Sequence, residues 1–292
     1  MSEHVAGKSI VVTGAASGFG RLVSEKLASM GARLTCADID AGGAEAVTTG
    51  IRARGGDAET VVADVTRMRD MRELARRAVE AHGAIDVMIN NAGVMPLAFF
   101  ADHEAAFDAW DRCIDINFKG VLHGTLAVFD QMMSQGRGHV INMSSIYGNH
   151  PVIGAAVYGA TKSAVNFLSE SLRVEARGKI KVTVIKPTGV PVTGLSATVV
   201  NQAAGIGILA HNMGEFTEMV MGMQEGTFPA ERLDPANIDY ASLAPEHIAD
   251  AIVHAIDQPW GVSIAEVTVR AAGDYFVLSS CTAQRISAPS GT

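Results

Sequence analysis

Lys8-Ser9-Ile10-Val11-Val12-Thr13-Gly14-Ala15-Ala16-Ser17-Gly18-Phe19-Gly20 runs from an apolar, β-branched strand into a glycine-rich turn, then into a segment of helical period. There Val23, Leu27 and Met30 recur at i, i+4 and i+7, and Gly31 supplies the stop signal. The same order of strand, turn and helix repeats outward along the chain. Further strands are predicted at 33–37, 59–63, 85–90, 139–143, 181–185 and 264–269. Helical periods fill 41–54, 67–82, 103–135, 157–176 and 245–255. Strand alternating with helix demands βαβ crossovers, hence a parallel sheet covered on both faces. The expectation is a doubly wound, Rossmann-like α/β fold of about seven strands, with 1–292 as a single domain.

Composition agrees with such a core and narrows the function. Of 292 residues, 48% are hydrophobic and only 18% charged, too apolar a balance for a disordered chain. The net charge of −8 comes without any long basic run, which argues against nucleic acid as a partner. Cys36, Cys113 and Cys281 are odd in number and far apart, which makes neither a disulfide framework nor a zinc site. The nine histidines lack metal-ligand spacing, so no metal is expected. His150, before Pro151, reads as a solvated loop residue. No apolar run is long enough to span a membrane and the N-terminus lacks a signal pattern, so a soluble, cytoplasmic protein is expected.

Glycines between a first strand and a first helix let the backbone approach a pyrophosphate, whose charge the helix N-terminus stabilises. Four further motifs sit at the ends of later strands or in the helices after them: Asp64-Val65, Asn90-Asn91-Ala92-Gly93, Ser145, and Tyr158-Gly159-Ala160-Thr161-Lys162. Asn117 lies within 103–135, in Asp115-Ile116-Asn117-Phe118. In this order and spacing the chain resembles the short-chain dehydrogenase/reductase family, with its TGxxxGxG turn, NNAG turn and YxxxK helix. The resemblance covers about 7–190 and resumes around 244–270.

The resemblance implies a catalytic set of Asn117, Ser145, Tyr158 and Lys162. Ser145 would hold the substrate oxygen, Lys162 the nicotinamide-ribose hydroxyls, and Asn117 a water that relays protons. Alternation lets only one of Ser144 and Ser145 face the site, and the family's spacing to the tyrosine selects Ser145. The cofactor would lie along Gly14, Ser17, Gly18, Phe19, Gly20, Asp38, Asp64, Val65, Asn91, Ala92, Gly93, Tyr158, Lys162, Pro187 and Val190. The family usually has Pro-Gly after the sixth strand. Here the chain reads Pro187-Thr188-Gly189-Val190, with the later threonine, Thr193, displaced by one and left outside the site.

The residues support this chemistry on their own terms. Tyr158 and Lys162 are four apart and share one helical face. A tyrosine ordinarily titrates near 10. An ammonium beside it, together with the positive charge of an oxidised nicotinamide, favours the phenolate needed to take a proton from an alcohol. Asp38, 24 residues past Gly14, ends the second strand where a carboxylate binds ribose hydroxyls and repels a 2′-phosphate. Serine, not a basic residue, stands at position 17. Asp40 is the better placed of the two acids to cap the next helix.

These readings point to an NAD-dependent oxidoreductase interconverting a secondary alcohol and a ketone. The alternatives are an NADPH-dependent carbonyl reductase and a dinucleotide-sensing protein without turnover. Residues 188–243 carry no strand pattern and read as a substrate lid, with Phe216, Met219, Val220 and Met223 spaced for a short amphipathic helix. No Lys or Arg occurs between Lys186 and Arg232, so the expected substrate is uncharged and hydrophobic. The helical stretches 103–135 and 157–176 carry more apolar surface than one sheet face covers, which predicts a homodimer or homotetramer. From about 273 a short tail begins with an apolar piece and ends rich in serine.

Overall fold

The structure, a computed structural model, describes residues 4–190 and 194–276. Thr193, Cys281 and the serine-rich end lie outside the described residues. All strands pair in parallel: β1 (Ser9–Thr13), β2 (Arg33–Asp38), β3 (Asp57–Val62), β4 (Val87–Asn90), β5 (Gly138–Met143), β6 (Ile180–Pro187) and β7 (Glu266–Val269). Their spatial order is β3-β2-β1-β4-β5-β6-β7, so the winding direction reverses between β1 and β4. Ligands of such sheets bind at the carboxyl ends of the strands flanking that switch.

Alternation along each strand feeds two cores. Ile10 and Val12 of β1 join Val23 and Leu27 of α1 (Gly18–Ser29), Val47 and Ile51 of α2 (Ala41–Ala53), and Ile248 and Ile252 of α9 (Pro245–Ile256). Val11, between them, faces the opposite core with Leu74 of α3 (Met68–His82), Val128 of α5 (Gly120–Gln135) and Leu172 of α6 (Ala156–Glu175). Each burial removes apolar area worth ~25 cal/mol per Å² from water.

The stretch predicted as one helix over 103–135 is continuous but not uniform. α4 (His103–Ile114) passes through a π-turn, Asp115–Lys119, before α5 begins. Neither glycine nor proline marks the inserted turn, so periodicity alone does not show it. The lid region contains short 3₁₀ turns, α7 (Ile206–Leu209) and α8 (Met213–Glu225), which is the amphipathic helix expected there. Among the described residues no helix is long and apolar enough to cross a membrane, and no cluster of acidic, His or Cys side chains is spaced to hold a metal ion.

One buried group makes the fold sensitive to acid. His139, the second residue of β5, has its Nε2 2.8 Å from Thr183 Oγ1. Burial, reinforced by Lys181 and Lys8, pulls its imidazole down to about 3. Because that lies below the ordinary 6.5, folding favours the neutral ring. The associated stability is complete above pH 6.5 and is lost as pH falls below it, by ~1.4 kcal/mol per pH unit. The urea midpoint is therefore expected to drop between pH 7 and 5. His139→Gln should flatten that drop, and an equally steep profile in the variant would place the sensitivity elsewhere.

Candidate active site

The glycine-rich turn sits at the switch point. Gly14 and Gly18 adopt left-handed backbone (φ +67° and +52°). A Cβ at Gly20 would lie 2.0 Å from the Gly14 carbonyl oxygen. Only glycine lets α1 start this close to β1, and the result is a bare cradle at a helix N-terminus, fit for a pyrophosphate. Ser17 is the N-cap of α1 and makes no side-chain capping bond. The turn after β4 is tied to this cradle. Asn91 Nδ2 donates to the carbonyls of Thr13 (2.9 Å) and Gly14 (3.2 Å). The backbone N–H groups of Asn91 and Ala92 reach Thr13 Oγ1.

At the end of β2 the Asp38 carboxylate accepts from the backbone N–H of Ala16 (2.9 Å) and of Asp40 (3.0 Å). The capping role falls to Asp40, which accepts from Gly43 N–H at 3.0 Å. Asp38 is thus held beside the cradle, with lone pairs still free for ribose hydroxyls. After β3, Asp64 accepts from the backbone N–H and hydroxyl of Thr66. Burial pushes its carboxyl up, but the Thr66 bonds and the nearby Arg67 and Arg112 outweigh that and hold it below the usual range. The Val65 carbonyl oxygen lies 2.9 Å from His123 Nδ1.

A cavity of about 500 Å³ opens beside the cradle. From the predicted set it gathers Phe19, Asn91, Gly93, Ser145, Tyr158, Lys162, Pro187 and Val190. Asp38, Asp64 and Val65 lie outside it, at the ends of β2 and β3. Ser145 Oγ accepts from Tyr147 N–H at 3.2 Å, which leaves its own proton to donate. The hydroxyl of Ser144, which also lines the cavity, donates to Asn166 Oδ1 at 2.7 Å. His150 is exposed.

Burial changes the electrostatics expected for the tyrosine. The Tyr158 hydroxyl is pushed up to about 12 by desolvation, against which a hydrogen bond from Ser145 acts. Lys162 Nζ stands 5.8 Å from the Tyr158 ring centroid, donates to the Met143 carbonyl at 2.8 Å, and is itself drawn down to about 8 by burial. Desolvation thus outweighs the Ser145 bond at the phenol, and a positive charge beside it would favour the phenolate.

Asn117 sits in the π-turn, fully buried. Its Oδ1 accepts from Val94 N–H (2.9 Å) and its Nδ2 donates to Val94 O (2.8 Å). The side chain thus braces the segment after Gly93 instead of facing solvent. Other residues of the site gave no signal in the sequence. Tyr147 lines the cavity and donates to Ile208 O at 3.2 Å. Phe276, from the short tail, also lines it. Of the lid's apolar residues, Leu195, Val199, Ile208, Leu209, Met213, Phe216, Val220 and Met221 line the cavity. Met219 is buried, whereas Ile206 and Met223 are exposed.

Comparison with known proteins agrees with this geometry. Residues 8–204 match the family described as short chain dehydrogenase. An uncharacterised oxidoreductase of Listeria monocytogenes is 34% identical over 265 residues, covering 90% of this chain and 95% of that protein. One from Staphylococcus epidermidis is 31% identical over 263 residues, covering 90% and 96%. Among solved structures, a metagenomic short-chain oxidoreductase in complex with NADP superposes with TM-score 0.69 at 28% identity, covering 92% of this chain and 98% of that one. A short chain dehydrogenase/reductase from Burkholderia phymatum in complex with NAD gives TM-score 0.71 at 27% identity, covering 91% and 89%. With its sheet order, glycine cradle and Ser145–Tyr158–Lys162 grouping, this chain belongs to the short-chain dehydrogenase/reductase family of oxidoreductases.

Proposed function

We propose that the protein moves a hydride between NAD(H) and an uncharged, hydrophobic secondary alcohol or ketone. The observation that carries this reading is the cavity itself. Ser145, Tyr158 and Lys162 meet in one space whose other described lining is uncharged and mostly apolar. The bound nicotinamide supplies or accepts the hydride. The chain's own residues handle the proton. Ser145 holds the substrate oxygen, and Tyr158 exchanges the proton at that oxygen, a role worth ~10²–10⁴-fold in rate. With its hydroxyl pushed up to about 12, Tyr158 is well suited to donate a proton during ketone reduction. Taking a proton from an alcohol needs added positive charge nearby, which an oxidised nicotinamide carries. Lys162 orients the ribose, and Asn117 keeps the Gly93–Val94 segment in place beside it.

Asp38 supports NAD over NADP, because a carboxylate at the ribose repels a 2′-phosphate. The next residue, Ile39, is exposed and offers no cation. An absorbance screen at the NADH band over aliphatic, alicyclic, aryl and steroidal alcohols tests the reading. An aryl or alicyclic alcohol is expected to exceed a short hydroxy acid in kcat/KM by at least ~10-fold. A hydroxy acid that wins would overturn the substrate class, turnover with NADPH alone would favour the carbonyl-reductase alternative, and binding without turnover would favour the sensor.

The protein is further proposed to assemble as a dimer or tetramer. Phe107 and Ile114 on α4, and Phe167 and Val174 on α6, each seven apart, are exposed on helices that pack against one another. Exposed apolar rows of this kind mark contact surfaces. Light scattering at micromolar concentration is expected to give a multiple of 30.6 kDa, and a monomer would refute it.

A further inference from the structure

We infer that the segment following β7 forms the far wall of the substrate cavity, and that Phe276 sets the size of substrate admitted. This deepens the proposed alcohol or ketone chemistry and rests on it for the kinetic readout alone.

The segment is latched to the site by a chain of polar contacts. The Thr188 hydroxyl donates to Asp274 Oδ2 at 3.0 Å, and the Thr188 N–H donates to Val269 O at 3.0 Å. The Asp274 carboxylate is fully buried and pairs with the Arg270 guanidinium, which also reaches the Phe276 carbonyl at 3.3 Å. Asn212 Nδ2, from the lid, donates to Tyr275 O at 2.8 Å. Thr188 stands where the family's pattern has glycine, and its side chain is the link from the end of β6 to this segment.

Those contacts deliver an aromatic wall. Phe276 is buried, lines the cavity and meets Phe216 of the lid edge to face, with ring centroids 5.7 Å apart at 72°. Phe216 also meets Tyr275, at 6.3 Å and 80°. The reacting groups Ser145 and Tyr158 line the same cavity. The Phe276 ring lies where a side chain at position 189 would go, since a Cβ built on Gly189 would lie 1.8 Å from two of its atoms. Gly189 has no left-handed backbone to explain it. Its glycine is required for space, and the ring of Phe276 takes that space. A rigid aromatic in this place limits how far a substrate extends from Tyr158.

The test is a double-mutant cycle on Gly189 and Phe276, read in two ways. The first is the affinity for prodan, a neutral naphthyl ketone whose fluorescence reports an apolar pocket, with Val220→Trp filling the cavity as the blank. The second is the kcat/KM ratio of 2-acetylnaphthalene over acetophenone. Phe276→Ala is expected to change prodan affinity and raise that ratio by at least ~10-fold, the scale on which apolar pockets discriminate by size. Gly189→Ala should shift prodan affinity comparably in the parent chain, yet by less than about threefold once Phe276 is alanine, because the clash is gone. If Phe276→Ala does not fold by thermal melting, Phe276→Leu takes its place in the cycle. Prodan affinities within twofold of the parent in the Phe276 variant, or an undiminished Gly189→Ala effect in its background, overturn the proposal. Failure of every ketone to turn over would instead count against the proposed reaction, while the prodan cycle still decides the wall.

Discussion

Tyr158→Phe is expected to lower kcat by ~10²–10⁴-fold while dinucleotide affinity stays within about threefold. The substitution keeps the buried ring and removes one hydroxyl, the atom placed to exchange a proton with the substrate oxygen. Ser145 loses a partner but retains the Tyr147 N–H, so the local turn stays braced. Lys162→Ala should behave differently. Its ammonium bonds the Met143 carbonyl and borders the same cavity, so both cofactor affinity and turnover should fall. Initial rates at the NADH band and a fluorescence titration of the dinucleotide separate the two effects. A Tyr158→Phe enzyme with more than a tenth of parental kcat would move the proton-transfer role to another group.

Replacing Asp38 with Ser and Ile39 with Arg is expected to swing the kcat/KM ratio for NADP over NAD by ~10²-fold or more. Like charges forced together cost several kcal/mol, and each 1.4 kcal/mol is tenfold. The exposed Ile39 accepts a cation without disturbing the core. Because Asp38 also holds the Ala16 N–H at 2.9 Å, the double variant should be slower with both cofactors, and the ratio is the quantity to read. A parent chain that already prefers NADP would defeat the assignment of Asp38 to the ribose.

The sheet was legible because its strands are short β-branched runs between glycine and polar turns, and the observed ends fall within two residues of those expected. Glycine and asparagine turns were legible for a related reason: their backbone demands leave residue-level traces. What depends on burial was not. The upward shift of Tyr158 requires knowing that the phenol is enclosed, which the helical spacing to Lys162 cannot reveal. Asn117 reads as a catalytic residue from the motif around it, but the commitment of its amide to Val94 from within a π-turn is visible only in the fold. The role of Phe276 was hidden because its partners, Thr188, Gly189 and Phe216, lie far upstream, and no local pattern connects them.

The π-turn between α4 and α5 also fixes how this chain can be compared with others. Deleting one residue between Asp115 and Lys119 would leave an unbroken α-helix with every later side chain still on its face, because the wide turn absorbs one extra residue. Gly124, whose Cβ would fall 2.0 Å from Asn90 Oδ1, would then still face β4. Val128 and Met132 would keep the core they fill, whereas losing a residue from the regular helix between Lys119 and Val128 would turn both by about 100°. A homologue one residue shorter here keeps α5 in phase simply by losing the bulge. Sequence alignments that place that gap elsewhere within 103–135 would therefore pair inward residues with outward ones between the gap and the bulge.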